Sequence, residues 1–364
     1  MVSTPPDLAA RPTVTGLAQY QAWQRRDLPP VEEVRPGLWS VPVPIPHNPL
    51  RYTLSYLFPG TGGVVLVDPG WDSPAGRDAL TAGLAAAGAA GTDVVGVVLT
   101  HTHPDHHGMT GWLRETSGAW VAMHPAEAAS MPARLWQGLA LDDDRAFLHT
   151  HGVPADEIDT LAVDPAQVAA LLALTEPDRY LDDGALVPIP DRRVRAVLTP
   201  GHTPGHLCLH DAEAGVLLTG DHLLPRISPT IGVHTDRDGD PLTGYLAALR
   251  RMREYPEVEA LPAHEYRFRG VPDRAAALAG HHDRRAAEIL AVLAGRPGAT
   301  TWQLAERITW SRGFDRLVGV PRRLALAETV AHLYHLRGVG AVTADGGAPA
   351  RWYPSVTAGA ASSR

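Results

Sequence analysis

The chain has 364 residues, of which 45 % are hydrophobic and 20 % are charged, a composition typical of globular proteins with about two domains. All 32 basic residues are arginine and one residue is cysteine, which excludes Schiff-base chemistry, a disulfide framework and a cysteine-bound iron–sulfur cluster. A formal net charge of −8 argues against non-specific binding of nucleic acid by the whole chain. The 18 histidines are therefore the compositional feature to explain.

We predict no targeting signal in the N-terminal part of the chain. Residues 1–36 are rich in proline and arginine and lack a basic start followed by an apolar run, so we predict an N-terminal arm and no signal peptide. The least polar stretch, residues 80–99, is mostly alanine and glycine and contains Asp93, which favours a helix followed by a strand over a membrane span. We therefore expect a cytoplasmic protein that does not enter a membrane.

Two groups of short strands are predicted between residues 37 and 270. Alternating or β-branched segments predict the first group at 39–45, 52–58, 64–68, 94–100 and 119–123. The second group is predicted at 194–199, 207–210, 216–219 and 258–261. A polar, helical insertion is predicted over about 125–191, and helical spacing predicts a helix over 241–253. This mixture predicts an α+β catalytic domain over 37–270.

The pattern changes after residue 270. It predicts a connecting helix over 271–297, helices over 301–308 and 325–337, and a hairpin over 338–353. This order of elements favours a small winged-helix domain over 298–364. Four arginines cluster in this region, and they are Arg312, Arg316, Arg322 and Arg323. Two roles of the domain stay open, nucleic-acid binding and packing against the active site or a second copy of the chain. The net negative charge favours the packing role.

The strongest chemical signal is a cluster of potential metal ligands directly after the strand at 94–100. It reads His101-Thr-His103-Pro-Asp105-His106, and imidazole and carboxylate are the usual ligands of a hydrolytic metal site without thiolates. Spacing of two between the first histidines requires an extended or loop backbone, because a helix would need three or four. Three further residues of these types follow later apolar strands, and they are His202, Asp221 and His264. Such strand ends are where active sites of α/β sheets form.

The run His-x-His-x-Asp-His, the later Pro-Gly-His-Thr, the Gly-Asp and the final His, in this order, resemble the metallo-β-lactamase-fold hydrolase superfamily over about residues 37–270. The resemblance implies a four-layer αβ/βα sandwich. Within the superfamily, the chain most resembles the hydroxyacylglutathione hydrolase and β-lactamase-like protein 2 branch, and its C-terminal part is similar to the winged helix of that branch. In one class of true β-lactamases a cysteine stands at the position of Asp221, and Cys208 does not occupy it, which argues against a β-lactamase.

The resemblance also implies a dinuclear metal site. One metal would be held by His101, His103 and His202, and the second by Asp105, His106 and His264, with Asp221 between them. Two divalent ions are expected, with zinc as the default and iron or manganese as the alternatives. A hydroxide bridging the ions would be the nucleophile, and Asp105 would help to orient it. Asp105 and Asp221 are therefore the predicted catalytic residues.

The substrate is predicted only as a class. Because the chain has no lysine, arginine is the main side chain that could hold an anionic part of a substrate, and Arg267 and Arg269 follow His264 closely. Trp136 and Tyr180, in the insertion, are candidates for lining a pocket. The first hypothesis is hydrolysis of a small thioester, ester or lactone. The alternatives are a metal-dependent ribonuclease whose winged helix places RNA, and an iron-dependent redox protein, which the lack of a flavin-binding domain disfavours. A homodimer is left open.

Overall fold

A computed structural model of the chain describes residues 12–131, 141–162, 174–234 and 239–355. Trp136, one of the predicted pocket residues, lies outside these ranges. The described residues form two facing β-sheets with helices on their outer sides, which confirms the predicted α+β sandwich. Among them, no helix combines the length and apolar character that crossing a membrane requires.

The described residues contain fifteen β-strands. They are β1 (Thr13–Val14), β2 (Glu32–Arg35), β3 (Leu38–Pro44), β4 (Tyr52–Gly60), β5 (Gly63–Val67), β6 (Val94–Val98), β7 (Trp120–Met123), β8 (Arg179–Tyr180), β9 (Val194–Leu198), β10 (Leu207–Asp211), β11 (Val216–Gly220), β12 (Glu259–Pro262), β13 (Phe268–Arg269), β14 (Val342–Ala344) and β15 (Trp352–Pro354). All nine predicted strands are present, with bounds shifted by at most two residues.

Eleven α-helices lie among the described residues. They are α1 (Leu17–Arg25), α2 (Pro74–Ala86), α3 (Pro104–His107), α4 (Thr110–Ser117), α5 (Pro125–Ala129), α6 (Leu141–Thr150), α7 (Ala155–Leu161), α8 (Pro241–Arg251), α9 (Val271–Gly295), α10 (Thr301–Ala305) and α11 (Val320–Gly338). Short 3₁₀ turns lie at Gly91–Asp93, Met252–Glu254 and Phe314–Arg316. The predicted helix over 301–308 ends early, at Ala305, and Thr300 caps its N-terminus.

The first sheet has the strand order β2-β3-β4-β5-β6-β7-β8. Its first four strands pair antiparallel, whereas β5, β6, β7 and β8 pair parallel. Parallel strands end at the same edge of a sheet. The residues that follow β5, β6 and β7 therefore come together at one edge, and they include Asp68, His101 and His124.

The second sheet has the strand order β1-β13-β12-β11-β10-β9. Strands β11 and β12 are parallel neighbours, and β9 runs in the same direction as β11 because both pair antiparallel with β10. These three strands therefore end at one edge, where His202, Asp221 and His264 follow them. The topology thus gathers the segments that carry the predicted ligands.

Three hydrophobic cores define the layers of the sandwich. One lies between the sheets and includes Leu54, Val65, Leu207 and Leu261. A second lies between the first sheet and helices α2 and α4, and a third between the second sheet and helices α8 and α9. Their alternating buried side chains fit the strand periods seen in the sequence. The order of layers is therefore helix, sheet, sheet, helix.

A fourth core joins the C-terminal residues to the rest of the molecule. Trp302, Leu333 and Trp352 pack in it with Phe147 of α6 and with Val233 of the segment before α8. The Val233 amide also donates a hydrogen bond of 3.1 Å to the carbonyl of Ala327 in α11. The C-terminal residues are thus part of a core that contains residues from the predicted insertion and from the catalytic part.

Part of the predicted N-terminal arm lies within the sandwich. Strand β1 pairs with β13 in the second sheet, and β2 pairs with β3 in the first. Helix α1 lies between these strands, and the buried Gln19 side chain donates a 3.1 Å hydrogen bond to Ser40. Residues 12–36 therefore contribute one strand to each sheet. The other domain boundaries stay predictions.

Candidate metal centre

Backbone hydrogen bonds join the two sheets at the edge where the predicted ligands lie. The Leu207 amide donates to the carbonyl of Thr100 at 2.9 Å, and the Leu54 amide donates to the carbonyl of Ala263 at 2.7 Å. The first bond places His101 beside the second sheet, and the second bond places His264 beside the first sheet. All seven predicted ligands fall into overlapping groups whose donor atoms lie within 4.8 Å of one another.

The first group, which we name the three-histidine half, contains His101, His103 and His202. The Nδ1 atom of His103 lies 3.0 Å from the Nε2 atoms of both His101 and His202. The Nδ1–H of His202 donates to the carbonyl of Thr230 at 2.8 Å, which orients the ring. Three ring nitrogens at this separation repel one another unless positive charge lies between them, as a proton or a metal ion supplies.

The second group, which we name the carboxylate half, contains Asp105, His106 and His264. The Nε2 atom of His264 lies 3.4 Å from Oδ2 of Asp105, and the Nε2 atom of His106 lies 3.8 Å from the same oxygen. The Nδ1–H of His264 donates to the carbonyl of Tyr52 at 2.9 Å. The residues of helix α3 therefore face the end of strand β12 across this half.

Asp221 stands between the two halves. Its Oδ1 lies 3.2 Å from Nε2 of His264 and 3.5 Å from Nε2 of His106. Its Oδ2 lies 3.5 Å from Nε2 of His202. One carboxylate therefore contacts both halves through different oxygens, as the predicted bridging position requires.

The donor set fits a pair of divalent metal ions. Three buried atoms that face the centre have no hydrogen-bond partner within the described residues, and they are Nε2 of His106, Nε2 of His264 and Oδ1 of Asp221. Buried polar atoms are normally paired, so a shared set of unpaired nitrogen and oxygen atoms suits a cation. Four of the five rings turn Nε2 inward and fix Nδ1 outside, the usual arrangement of metal-binding histidines.

The electrostatics of the two halves differ. Burial holds the pKa of His101 well below its usual value and lowers that of His103 to about 3, so these rings are neutral at pH 7. Burial also opposes a charge on His264, but Asp221 and Asp105 outweigh it and raise its pKa well above the usual value. Burial opposes ionisation of Asp105, yet His106 and His264 lower the pKa of its carboxyl to about 2.

Asp68, the last residue of the strand predicted over 64–68, is a supporting residue that is not among the predicted ligands. Its Oδ2 accepts a 2.9 Å hydrogen bond from Nδ1–H of His106 and a 2.6 Å bond from the Thr100 hydroxyl. That hydroxyl in turn lies 3.1 Å from Nδ1 of His101. Asp68 therefore holds His106 directly and His101 through Thr100. Its position directly after an apolar strand, like that of the ligands, was the available signal.

Glu127 and His206 support the centre without any local sequence signal. The buried carboxylate of Glu127 accepts hydrogen bonds from the Thr102 amide at 2.8 Å and from the Gly205 amide at 2.9 Å, which links the loops that carry the three-histidine half. A side chain at Gly205 would overlap the Glu127 backbone, so only glycine fits there. Nε2 of His206 accepts a 3.1 Å bond from the Asp221 amide.

The predicted substrate arginines lie in other surroundings. The buried guanidinium of Arg267 forms ion pairs of 2.6 Å with both Glu32 and Glu259, so it is committed to these carboxylates. Arg269 is exposed, and it donates a 2.6 Å hydrogen bond to the carbonyl of Glu257. The interpretation of Arg267 as a substrate residue is thus contradicted. Tyr180, with 53 % of its surface exposed, pairs with Met123 at the edge of the first sheet that carries the centre.

Comparison with known proteins identifies the class that this fold and centre define. The sequence model of the metallo-beta-lactamase superfamily matches residues 48–264. The crystal structure of a metallo-beta-lactamase family protein from Thermus thermophilus is similar, with 34 % identity and a TM-score of 0.74, over 88 % of this chain and 100 % of that chain. The chain therefore belongs to the metallo-β-lactamase superfamily, as the motifs predicted.

Two similar proteins are thioesterases by name. An acyl-coenzyme A thioesterase of Gallus gallus is 30 % identical over 125 residues, which are 34 % of this chain and 40 % of that protein. An atrochrysone carboxyl ACP thioesterase of a Cryptosporiopsis species is 26 % identical over 190 residues, or 49 % of this chain and 55 % of that protein. Both matches cover less than two thirds of the relative. The family and these relatives support a hydrolase.

Proposed function

We propose that this protein is a dinuclear metal-dependent hydrolase of a small thioester. The observation that carries the proposal is the convergence of seven histidine and aspartate side chains on one centre, with unpaired Nε2 and Oδ atoms facing inward. The two thioesterase relatives favour a thioester over an ester or a lactone. Zinc is the proposed metal, because nitrogen-rich sites with few carboxylates suit it, and iron and manganese are the alternatives.

The chain itself would bind and orient the reactants. When bound, divalent ions supply Lewis acidity and lower the pKa of water. Asp105 is ionised at pH 7, and 14 % of its side-chain surface is exposed. Its carboxylate would accept a hydrogen bond from the attacking water and orient that water towards the carbonyl carbon. Asp221, which contacts both halves, would hold them at a fixed separation. Neutral His101 and His103 offer lone pairs without a proton to displace.

A protein nucleophile is not needed in this mechanism. Cys208, the single cysteine, is fully buried on β10, and burial raises the pKa of its thiol to about 12. The thiolate, which is the reactive form, is therefore negligible at neutral pH. This observation supports water as the attacking group.

The C-terminal residues have the element order of a winged helix, and we propose that they pack rather than bind nucleic acid. Helix α11 is buried on most of its surface. Arg322 pairs with Glu157 at 2.6 Å, and Arg323 pairs with Asp144 at 2.5 Å, so two of the four candidate arginines are neutralised by the insertion. These contacts favour the small-molecule hydrolase over the ribonuclease alternative. We also propose that, within the superfamily, the chain is most similar to the hydroxyacylglutathione hydrolase branch.

The test combines metal analysis with a substrate panel. The protein is loaded separately with zinc, manganese and iron, its bound metal is counted by elemental analysis, and each form is assayed on thioesters, lactones and single-stranded RNA. We expect about two ions per chain and thioester hydrolysis as the highest activity. Fewer than about one ion per chain under all three loadings contradicts the dinuclear centre. RNA cleavage without thioester turnover contradicts the substrate class.

A further inference from the structure

The 221–234 segment, which joins strand β11 to the residues before helix α8, supports the three-histidine half. It begins at the ligand Asp221 and runs as turns and irregular backbone. Further along this segment, the carbonyl of Thr230 accepts the 2.8 Å hydrogen bond from Nδ1–H of His202. This bond leaves a lone pair on Nε2 of the ring, the atom that faces the centre. The position of one backbone carbonyl therefore decides how one ligand is presented.

The first part of the 221–234 segment is held by helix α9. The buried Arg274 of this helix donates hydrogen bonds of 2.7 Å and 2.8 Å to the carbonyls of Leu224 and Ile227. These bonds stop three residues before Thr230. The Thr230 carbonyl therefore needs a second anchor, on its other side, to keep a fixed position.

Helix α11 supplies the second anchor. The Val233 amide donates a 3.1 Å hydrogen bond to the carbonyl of Ala327, and the Val233 side chain is fully buried in the C-terminal core. A carbonyl oxygen has two lone pairs, so Ala327 can accept this bond in addition to the one inside its helix. Because three residues span at most about 11 Å, Thr230 can move little relative to Ala327 while this bond holds.

Gly232 lets the segment approach α11 closely. A Cβ atom built on Gly232 would lie 3.1 Å from Cβ of Ala327, whereas two carbon atoms attract each other best at about 3.5–4.0 Å. The exposed side chain of His234 would come equally near, with Nε2 at 3.1 Å. A methyl group on Gly232 would therefore move its neighbours by a few tenths of an ångström. Such a shift would lengthen the hydrogen bond from Val233.

Helix α11 is itself docked on the catalytic part of the chain. Nδ1 of His282 in α9 lies 3.2 Å from Nε2 of His332 in α11. One turn further along α11, Nδ1 of His335 lies 2.7 Å from the hydroxyl of Thr243 in α8. These two contacts hold α11 on two helices of the sandwich. They therefore fix the Ala327 carbonyl relative to the metal centre.

We propose that helix α11 is a positioning element of the metal centre and that Ala327 is its positioning residue. The Ala327 carbonyl fixes Val233, Val233 fixes the Thr230 carbonyl, and that carbonyl turns Nε2 of His202 towards the three-histidine half. The proposal rests on the metal centre of the proposed function, but not on the choice of substrate. It gives the C-terminal residues a role in metal binding that needs no contact with the metal ions.

The carboxylate half is held from another side and offers an internal comparison. Nδ1–H of His106 donates to Asp68, and Nδ1–H of His264 donates to the carbonyl of Tyr52. Both acceptors belong to the first sheet, because Tyr52 begins β4 and Asp68 follows β5. Helix α11, in contrast, is docked on α8 and α9, which pack against the second sheet. A shift at α11 should therefore affect the three-histidine half alone.

The test moves one methyl group across the contact with α11. Gly232→Ala should push the segment away from Ala327, displace the Thr230 carbonyl and lower the affinity of the first metal about tenfold. Adding Ala327→Gly removes the opposing methyl and should restore that affinity in the double variant. Alone, Ala327→Gly should lower the melting temperature, because glycine is unfavourable inside a helix, and leave the affinity unchanged. Gly295→Ala is the matched control, since its Cβ would meet no atom within 4 Å.

Zinc competition with a colorimetric chelator measures the affinities in two single-ion backgrounds. In His264→Ala, where the three-histidine half binds alone, Gly232→Ala should lower the affinity about tenfold. In His202→Ala the ring that α11 orients is absent, so Gly232→Ala should not change the affinity for the remaining ion. An affinity loss in both backgrounds, or a lower melting temperature without any affinity loss, contradicts the positioning role. A loss that Ala327→Gly does not restore assigns the effect to His234 and overturns the proposal.

Nitrogen-15 NMR of the metal-free protein keeps this proposal distinct from the proposed function. The signals of His202 are identified by their absence in His202→Ala. At pH 8 they should report the Nδ1–H tautomer in the wild type and in the double variant, and a mixture of tautomers in Gly232→Ala. This result in a protein that binds no metal refutes the proposed function and leaves the positioning role standing. Two bound ions and thioester turnover, with an unchanged tautomer in Gly232→Ala, refute the positioning role and leave the proposed function standing.

Discussion

The two halves of the metal centre differ in the electrostatic surroundings of their histidines. The three-histidine half is built from buried rings, and burial keeps His101 and His103 neutral. The carboxylate half contains Asp105 and contacts Asp221, and these carboxylates raise the pKa of His264 and His106 against the effect of burial. A metal ion therefore meets ready lone pairs in the first half, but it must displace protons in the second.

The largest effect should follow the loss of the carboxylate that the halves share. In Asp221→Ala, both halves lose a contact, and burial is then opposed at His264 by Asp105 without Asp221, so the pKa of His264 falls. We expect thioester turnover to fall at least about 100-fold, since partners outside the ligand set alone account for about 10- to 100-fold. Steady-state kinetics with metal counts measure this, with Asp156→Ala at the exposed N-terminal turn of α7 as a control. Turnover at the wild-type rate would falsify the bridging role.

Single-ligand variants should separate the halves. His202→Ala removes a ligand from the three-histidine half, and His264→Ala removes one from the carboxylate half. Each variant should bind about one ion per chain instead of two, which elemental analysis measures after equilibration with limiting zinc. The remaining ion should resist a chelator in His264→Ala at pH 6 and be lost in His202→Ala. The same chelator sensitivity in both variants would show that the halves do not differ.

Acidification should empty the carboxylate half first. The pKa values of His106 and His264 are raised, so protons compete with metal there already above pH 6.5, and the metal affinity falls as pH falls through those values. Each displaced proton changes the affinity about tenfold per pH unit. The pKa of His103 is about 3, so protons do not compete with metal at that ring in the same range. Chelator titrations from pH 8 to pH 5 should show two separate steps. Simultaneous loss of both ions would contradict the comparison.

Asp68→Asn should weaken mainly the carboxylate half. The substitution keeps the shape but replaces the negative charge that orients His106, whereas His101 is reached only through Thr100. We expect a loss of about 10- to 100-fold in the affinity of the second metal. Competition with a colorimetric chelator measures it. Asp191→Asn, an exposed carboxylate that accepts hydrogen bonds from Thr61, is the matched control and should leave both affinities unchanged. An equal loss of affinity for both metal ions would contradict the expected difference between the two halves.

Glu127→Gln should give the smallest effect on metal affinity, and that effect should fall on the three-histidine half. The glutamine side chain has one acceptor oxygen, so it cannot accept hydrogen bonds from the backbone amides of both Thr102 and Gly205. One of the two loops that carry the three histidines should therefore become less firmly held. We expect the affinity of the first metal to fall about tenfold or less, because the ligands themselves stay in place. The same chelator competition, together with the melting temperature, checks this. A selective loss of the second metal would reverse the assignment of Glu127.

The ligands could be predicted from the sequence because each lies in a short segment that comes after a strand whose own pattern is visible. Asp68 shares that position, yet its role depends on helix α3 bringing His106 back to it. Glu127 and His206 act across contacts between distant loops, which no local pattern records. Strand β1 has two residues and is defined by its pairing with β13, so periodicity could not reveal it.

Proximity in sequence was misleading at Arg267. Glu265 has a φ of 70°, a left-handed backbone conformation that redirects the chain immediately after His264. Arg267 consequently pairs with Glu259 on β12 of the second sheet and with Glu32 on β2 of the first sheet, and not with a substrate as expected.

The contact between Val233 and helix α11 has a consequence for how the protein is made. Thr230, which orients His202, lies three residues before Val233, and Val233 is packed with Trp352 in the C-terminal core. A ribosome therefore releases every metal ligand long before it releases the residues against which the His202 support packs. The three-histidine half is expected to reach its final geometry only after α11 has emerged, so metal capture would follow synthesis of the C-terminal residues rather than accompany that of the ligands.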